Sequence, residues 1–199
     1  MRRIPHEGER LYLQQVPADH YSIYTLSKYL SRVMHFRKCI SFRDLYLAMK
    51  KETIRAVYLT DGSAVYGFAI YQEVSALKLT HLLYFAVFSE YRSCGLGSQF
   101  IQQLSEMCEG RMILEVEGVH QADSCEELIN RTRRVVFFQR NGFYLHPETR
   151  LEYFGRSLQV MADRKFKGIN WEEFYQRLYN RVHVLPVSKF FIKVQTKPI

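Results

Sequence analysis

No run of roughly 18 apolar residues, the length of a membrane-spanning helix, occurs anywhere in this 199-residue chain. Its opening, Met1-Arg-Arg-Ile-Pro-His-Glu, lacks the apolar core of a secretory leader. A soluble chain that stays in the cytoplasm is therefore expected. The four cysteines, Cys39, Cys94, Cys108 and Cys125, contain no Cys-x-x-Cys pair, which argues against a thiol redox motif and for reduced thiols. The seven histidines show no ligand spacing. His120 and Cys125 stand near one another, but no further donor completes a tetrahedral set, so no metal is expected. Internal repeats and low-complexity linkers are missing as well.

What is present is a globular composition. Hydrophobic residues make up 47% of the chain, aromatics 15% and charged residues 24%. That is enough to fill one core, and 199 residues are few for two ordinary domains. One domain over 1–199 is expected, in three stretches: 1–53, 54–162 and 163–199. The formal charge of +8 is unevenly spread: residues 163–199 carry eight Lys/Arg against three Asp/Glu, hence +5, leaving +3 for residues 1–162. A positive surface attracts polyanions. No nucleic-acid motif accompanies it, and a solvated basic face explains the C-terminal excess equally well.

The periodicity predicts a mixed order of elements. Residues 11–16 read as a first strand. Asp19 caps a tyrosine-rich helix reaching about Phe36, and Ser41 caps a second helix that ends at Lys50-Lys51. Residues 54–60 and 64–74 are strands joined by the Asp61-Gly62 turn, and 78–88 is the next strand. A helix over 95–109 stops at Gly110. Residues 111–117 alternate, with Met112, Leu114 and Val116 on one face and Ile113, Glu115 and Glu117 on the other. Ser124 and Glu127 form a capping-box pair ahead of a helix over 124–140, whose apolar stripe is Leu128, Ile129, Thr132, Val135, Val136 and Gln139. Two further strands follow, at residues 143–146 and 156–162. Asn170 then caps a helix with Trp171, Phe174, Tyr175, Leu178, Tyr179 and Val182 on one face. That face reads as packed on its own domain. Residues 187–194 form a last strand or a basic tail.

The junction at 88–98 carries the chemistry. A strand, a turn containing Gly95 and Gly97, and an amphipathic helix follow one another, and the first amides of such a helix lack internal partners and attract anions. A dinucleotide fingerprint would need glycine where Phe100 stands, and a P-loop would need Gly-Lys-Ser/Thr where Gly97-Ser98-Gln99 stands. Neither fits. Arg92-Ser93-Cys94-Gly95-Leu96-Gly97 does resemble the pyrophosphate loop, Gln/Arg-x-x-Gly-x-Gly/Ala, of the Gcn5-related N-acetyltransferase (GNAT) family. Phe137-Phe138-Gln-Arg-Asn-Gly142-Phe143 resembles that family's second stretch, Phe-Tyr-x-x-x-Gly-Phe.

The resemblance implies an α/β (α+β) acyl-CoA N-acyltransferase fold: a mixed, mostly antiparallel sheet of about seven strands, flanked by helices and splayed between strands four and five. It implies acetyl-coenzyme A as cosubstrate and an unknown amine as acceptor, with the helices of 1–53 on the acceptor side. Cofactor contacts are implied at Phe85, Ala86, Val87, Arg92, Ser93, Cys94, Gly95, Leu96, Gly97 and Ser98, and at Arg131 and Phe138. Two family positions depart from pattern. Leu83 stands where many relatives carry a glutamate base, and Phe138 where a tyrosine often protonates the leaving thiolate. Glu115 and Glu117 are the next candidate bases and His81 a weaker one; the thiolate is expected to leave with help from water alone or from Tyr144 as substitute acid. An N-acetyltransferase and a non-catalytic acetyl-coenzyme A binding module both remain open, as does the choice between monomer and homodimer.

Overall fold

A computed structural model describes residues 10–34, 40–74, 77–109, 112–153, 155–163, 169–182 and 192–196. They fall into two compact units, one drawn from Met1–Glu73 and Leu82–Glu109, the other from Val74–His81 and Gly110–Ile199.

The first unit contains β1 (Tyr12–Gln15), α1 (His20–Val33), α2 (Phe42–Lys50), β2 (Arg55–Thr60), nearly all of β3 (Val65–Val74), the end of β4 (Leu79–Val87) and α3 (Leu96–Met107). Its strands lie in the order β1-β2-β3-β4. β1 and β2 run antiparallel with Tyr12 opposite Thr60, and β2 and β3 antiparallel with Arg55 opposite Tyr71. Local chemistry fixes the joints. Asp19 accepts from Ser22 N at 2.9 Å to start α1, and Ser41 Oγ accepts from Asp44 N at 3.1 Å to start α2. Asp61 Oδ1 accepts from the amides of Ser63 and Ala64, both at 2.8 Å, and so closes the β2–β3 turn. Four hydrogen bonds hold that carboxylate ionised, from the amides of Ser63 and Ala64, the Ser63 hydroxyl and, the largest, the Tyr66 hydroxyl at 2.6 Å, and its pKa lies well below the usual range. The core joins Ile23, Leu26 and Leu30 of α1, Leu45 and Met49 of α2, Phe68 and Ile70 of β3, and Phe100, Ile101 and Leu104 of α3.

The second unit holds the opening residues of β4, then β5 (Met112–Glu117), α4 (Cys125–Arg140), β6 (Tyr144–Tyr153), β7 (Arg156–Ala162), α5 (Trp171–Val182) and β8 (Ile192–Thr196). Its strands run β5-β7-β6-β8, each antiparallel to the next. Leu79, Ile113, Leu151, Val160 and Ala162 form one wall of its core, and the aromatic face of α5 forms the other. Asn170 Oδ1 accepts from Glu173 N at 3.2 Å, the cap the sequence calls for.

Among the described residues there are eight strands where about seven are expected, because residues 192–196 pair with β6. β6 is longer than residues 143–146, continuing past a register shift between Leu145 and Arg150. α1 ends at Val33. Phe36, Cys39, Gly110 and Arg111 lie outside the described residues. The apolar stripe expected on α4 is corrected. Val135 and Phe138 are its buried residues, while Leu128 and Ile129 are 43% and 49% exposed. The buried side is turned by about a quarter revolution from the expected one, at 100° per residue. The cause is polar. Arg131 points inward, Nη1 donating to Gly118 O at 2.6 Å, which ties its side of the helix to the unit, while Nη2 donates to Glu127 Oε1 of the same helix at 2.7 Å. Among the described residues no helix is long and apolar enough to cross a membrane, and no group of three or more His, Cys, Asp or Glu could hold a metal ion. Cys94, Cys108 and Cys125 are free thiols.

Candidate active site

In the first unit, β4 ends at Val87 and a short 3-10 turn, Ser89–Tyr91, carries the chain into residues 92–95. Arg92 folds back, its Nε–H donating to Val87 O at 3.1 Å. Ser93 (φ 66°) and Gly95 (φ 78°) both take the left-handed conformation. Glycine is favoured at 95, since side chains rarely adopt that backbone, although Ser93 does. A Cβ built there meets nothing within 4 Å, so the turn opens onto free space. Gly95 is the N-cap of α3, and Gly95 O accepts from Ser98 N at 3.0 Å and Gln99 N at 3.2 Å. The amides of Leu96 and Gly97 therefore precede the first intrahelical bond. No side chain caps this end and no acid stands in the first turn, so the positive end of the helix dipole is uncompensated by its own helix. Leu96 is buried and anchors the helix, while Arg92, Ser93, Cys94 and Ser98 are exposed.

The direction of α3 is set by packing. The Phe85 and Phe100 rings lie 4.8 Å apart and tie the end of β4 to the helix. The Tyr66 and Tyr91 rings, 4.9 Å apart, hold the 3-10 turn. Gly67 on β3 faces Ala86 and Val87, and a Cβ there would stand 2.3 Å from Ala86 O and 3.1 Å from Val87 Cα. The β3 and β4 backbones thus approach as closely as a missing side chain permits. α1 and α2 carry the expected aromatic surface. His20 stands 5.7 Å from Phe42 and 5.8 Å from Tyr46, and Tyr24 lies 6.2 Å from Phe42.

In the second unit two of the four candidate proton carriers, His81 and Glu115, meet. His81, at 0% exposure, points Nε2 at the Glu115 carboxylate, 2.8 Å from Oε2 and 3.0 Å from Oε1. The Tyr179 hydroxyl donates to Glu115 Oε2 at 3.5 Å, and its ring lies edge-on to His81 at 6.0 Å. Tyr175 lies fully buried nearby, its hydroxyl beside the Glu115 carboxylate but outside normal hydrogen-bond reach of it. Burial first, then the Glu115 charge, raises that phenol's pKa well above its usual value. Glu117, two residues along β5, receives Arg134 Nη1 at 3.2 Å. Tyr144 opens β6 at 61% exposure. Phe138 is buried edge-on between Phe137 at 5.1 Å and Phe143 at 5.6 Å. Arg131 keeps its buried Nε without a partner.

Sequence reasoning separately marked His81 and Glu115, and the fold joins them. It missed Tyr175, Tyr179 and Arg134 as neighbours of the two carboxylates. The only signal was the i, i+4 spacing of the two tyrosines, which says that they share a face of α5 and not what that face touches.

Residues 52–145 match the family model described as the acetyltransferase (GNAT) domain, a span that includes the β4–α3 turn and ends just past Gly142-Phe143. No curated protein matches this sequence. Among solved structures, a GNAT-family protein from Bacteroides thetaiotaomicron shares the fold with a TM-score of 0.71 at 17% identity, over 87% of this chain and 99% of its own. The ribosomal-protein-S18-alanine N-acetyltransferase of Escherichia coli aligns with a TM-score of 0.56 at 17% identity, over 80% of this chain and 99% of its own. Spermidine N-acetyltransferase from Vibrio cholerae, in complex with CoA and spermine, aligns with a TM-score of 0.57 at 13% identity, over 76% of this chain and 94% of its own. Residues 52–145 thus match the acetyltransferase (GNAT) domain by sequence, and the chain shares with GNAT-family structures a mostly antiparallel sheet flanked by helices.

Proposed function

We propose that this protein is an N-acetyltransferase that moves the acetyl group of acetyl-coenzyme A to a primary amine of a small molecule or peptide. The observation that carries this reading is the β4–α3 turn. Its two left-handed residues, uncapped helix start and open face at Gly95 suit a pyrophosphate held on backbone amides. The backbone of Phe85, Ala86 and Val87 would hold the pantetheine arm. Arg131 on α4, bonded to Gly118 O and Glu127, is a further proposed cosubstrate contact. Phe138, packed among phenylalanines, shapes that part of the fold and has no proton to supply.

When bound, acetyl-coenzyme A supplies an acetyl thioester. The acceptor, an aliphatic amine with a pKa of ~10, arrives protonated at neutral pH and must lose a proton to attack. Glu115 is the proposed acceptor of that proton. His81 and Tyr179 hold its carboxylate in one orientation, and His81 Nε2 can share the proton with it. Glu117 is the second carboxylate, and Tyr144 the phenol that returns a proton to the departing thiolate. The neighbours that act on a protein's alanine and on spermidine support an amine acceptor and differ in its size.

The test is calorimetric titration with acetyl-coenzyme A, followed by thiol release against a panel of peptide, polyamine and amino-sugar amines. Binding with release on at least one amine is expected. Glu115→Gln should keep binding and lose turnover by about a hundredfold or more. Absence of binding overturns the cosubstrate assignment, and full activity in Glu115→Gln moves the base elsewhere.

A further inference from the structure

Most of the helix side that sequence periodicity places inside, Val135 apart, lies outside. On α4, Cys125, Ile129, Thr132, Val136 and Gln139 recur at spacings of four, three, four and three, the heptad spacing of a seam between two packed helices. Cys125, Ile129, Thr132 and Gln139 are exposed, and Val136 is half-buried. Leu128, also exposed, widens the seam. The helix is held to its own unit from its other side, through Val135, Phe138 and the inward Arg131. α4 therefore has two apolar sides, and its unit uses one.

The flanking charges identify what the second side fits. Arg131 and Arg134 are taken up by Glu127 and Glu117. Glu126, Arg133 and Arg140 stay exposed in one row beside the seam. When two identical helices pack antiparallel, positions of this row face the same row of the other helix in reverse order. Glu126 of one copy then stands within a helical turn of Arg133 of the second copy, and symmetry repeats the contact. We propose that α4 is a self-complementary interface through which two copies of this chain associate, antiparallel about a two-fold axis near Asn130 and Arg131. Ile129 then packs on Thr132 of the second copy, and Val136 on Cys125. A parallel pair would set the seam's charged row against Leu128 and Val135 and leave it unmatched. A seam on one 16-residue helix falls short of the ~1,000 Å² that a stable interface clears, so the association is reversible and concentration-dependent.

Sedimentation equilibrium of the full chain over a concentration series tests this. A monomer–dimer equilibrium that weakens with added salt is expected. Ile129→Asp should abolish it without changing the thermal midpoint, since the side chain is exposed. Glu126→Arg and Arg133→Glu should each weaken it by roughly threefold to tenfold, and the double exchange should recover it. A wild-type chain that remains monomeric throughout overturns the proposal. So does a dimer that is indifferent to Ile129→Asp, or one that the double exchange fails to restore.

Discussion

The β4–α3 turn and the His81–Glu115 cluster are built from opposite materials. The turn is backbone: two left-handed residues, the first amides of α3 and an exposed surface. Its side chains matter mainly by being small or by staying out of the way. The cluster is side chain: a buried imidazole, a carboxylate and two tyrosines, brought from β4, β5 and α5. The first can be written as a short local pattern. The second exists only once the second unit has folded.

The sharpest way to break this contrast is at Gly67. There a backbone arrangement depends on a missing side chain, and the atom a Cβ would meet at 2.3 Å is the carbonyl of Ala86, which no rotamer change can move aside. Gly67→Ala should lower unfolding stability by about 1–3 kcal/mol, the usual range for overpacking, as read from urea denaturation. A neutral result would mean that β4 shifts freely at Ala86. Gly95→Ala comes next. Forcing a side chain into a left-handed backbone costs about 1–2 kcal/mol, so acetyl-coenzyme A should bind roughly fivefold to thirtyfold more weakly by calorimetry. Unchanged affinity would show that the turn's amides are not what holds the cosubstrate. The smallest effect belongs to the cluster. Tyr175→Phe removes a buried hydroxyl that lies beside the Glu115 charge yet makes no hydrogen bond of normal length, and should leave stability unchanged or raise it by up to ~1 kcal/mol in thermal unfolding. A loss instead would reveal a hidden partner for that hydroxyl.

The same contrast explains what was legible in the sequence. Asp19, Ser41, Ser124 and Asn170 cap the helices that their spacing implies, because a cap and its first turn are neighbours in the chain. Gly95 is legible for the same reason. The aromatic face of α5 is also legible, since a run of large apolar residues at helical spacing has only one way to leave water. The α4 stripe was not. Two apolar sides share that helix, and the choice between them is made by Arg131 reaching Gly118, thirteen residues back, a contact that periodicity does not contain. The pairing of His81 with Glu115, 34 residues apart, is likewise a product of strand order.

The bare start of α3 has a practical consequence. Recognition by main-chain amides and a helix dipole reads charge and size far more than chemical identity, so any compact oxyanion is a competitor for it. If the turn holds acetyl-coenzyme A as proposed, phosphate, sulfate or pyrophosphate in a purification buffer should compete for it and lower the cosubstrate's apparent affinity. Chloride-based organic buffers at low ionic strength are where its affinity should be read.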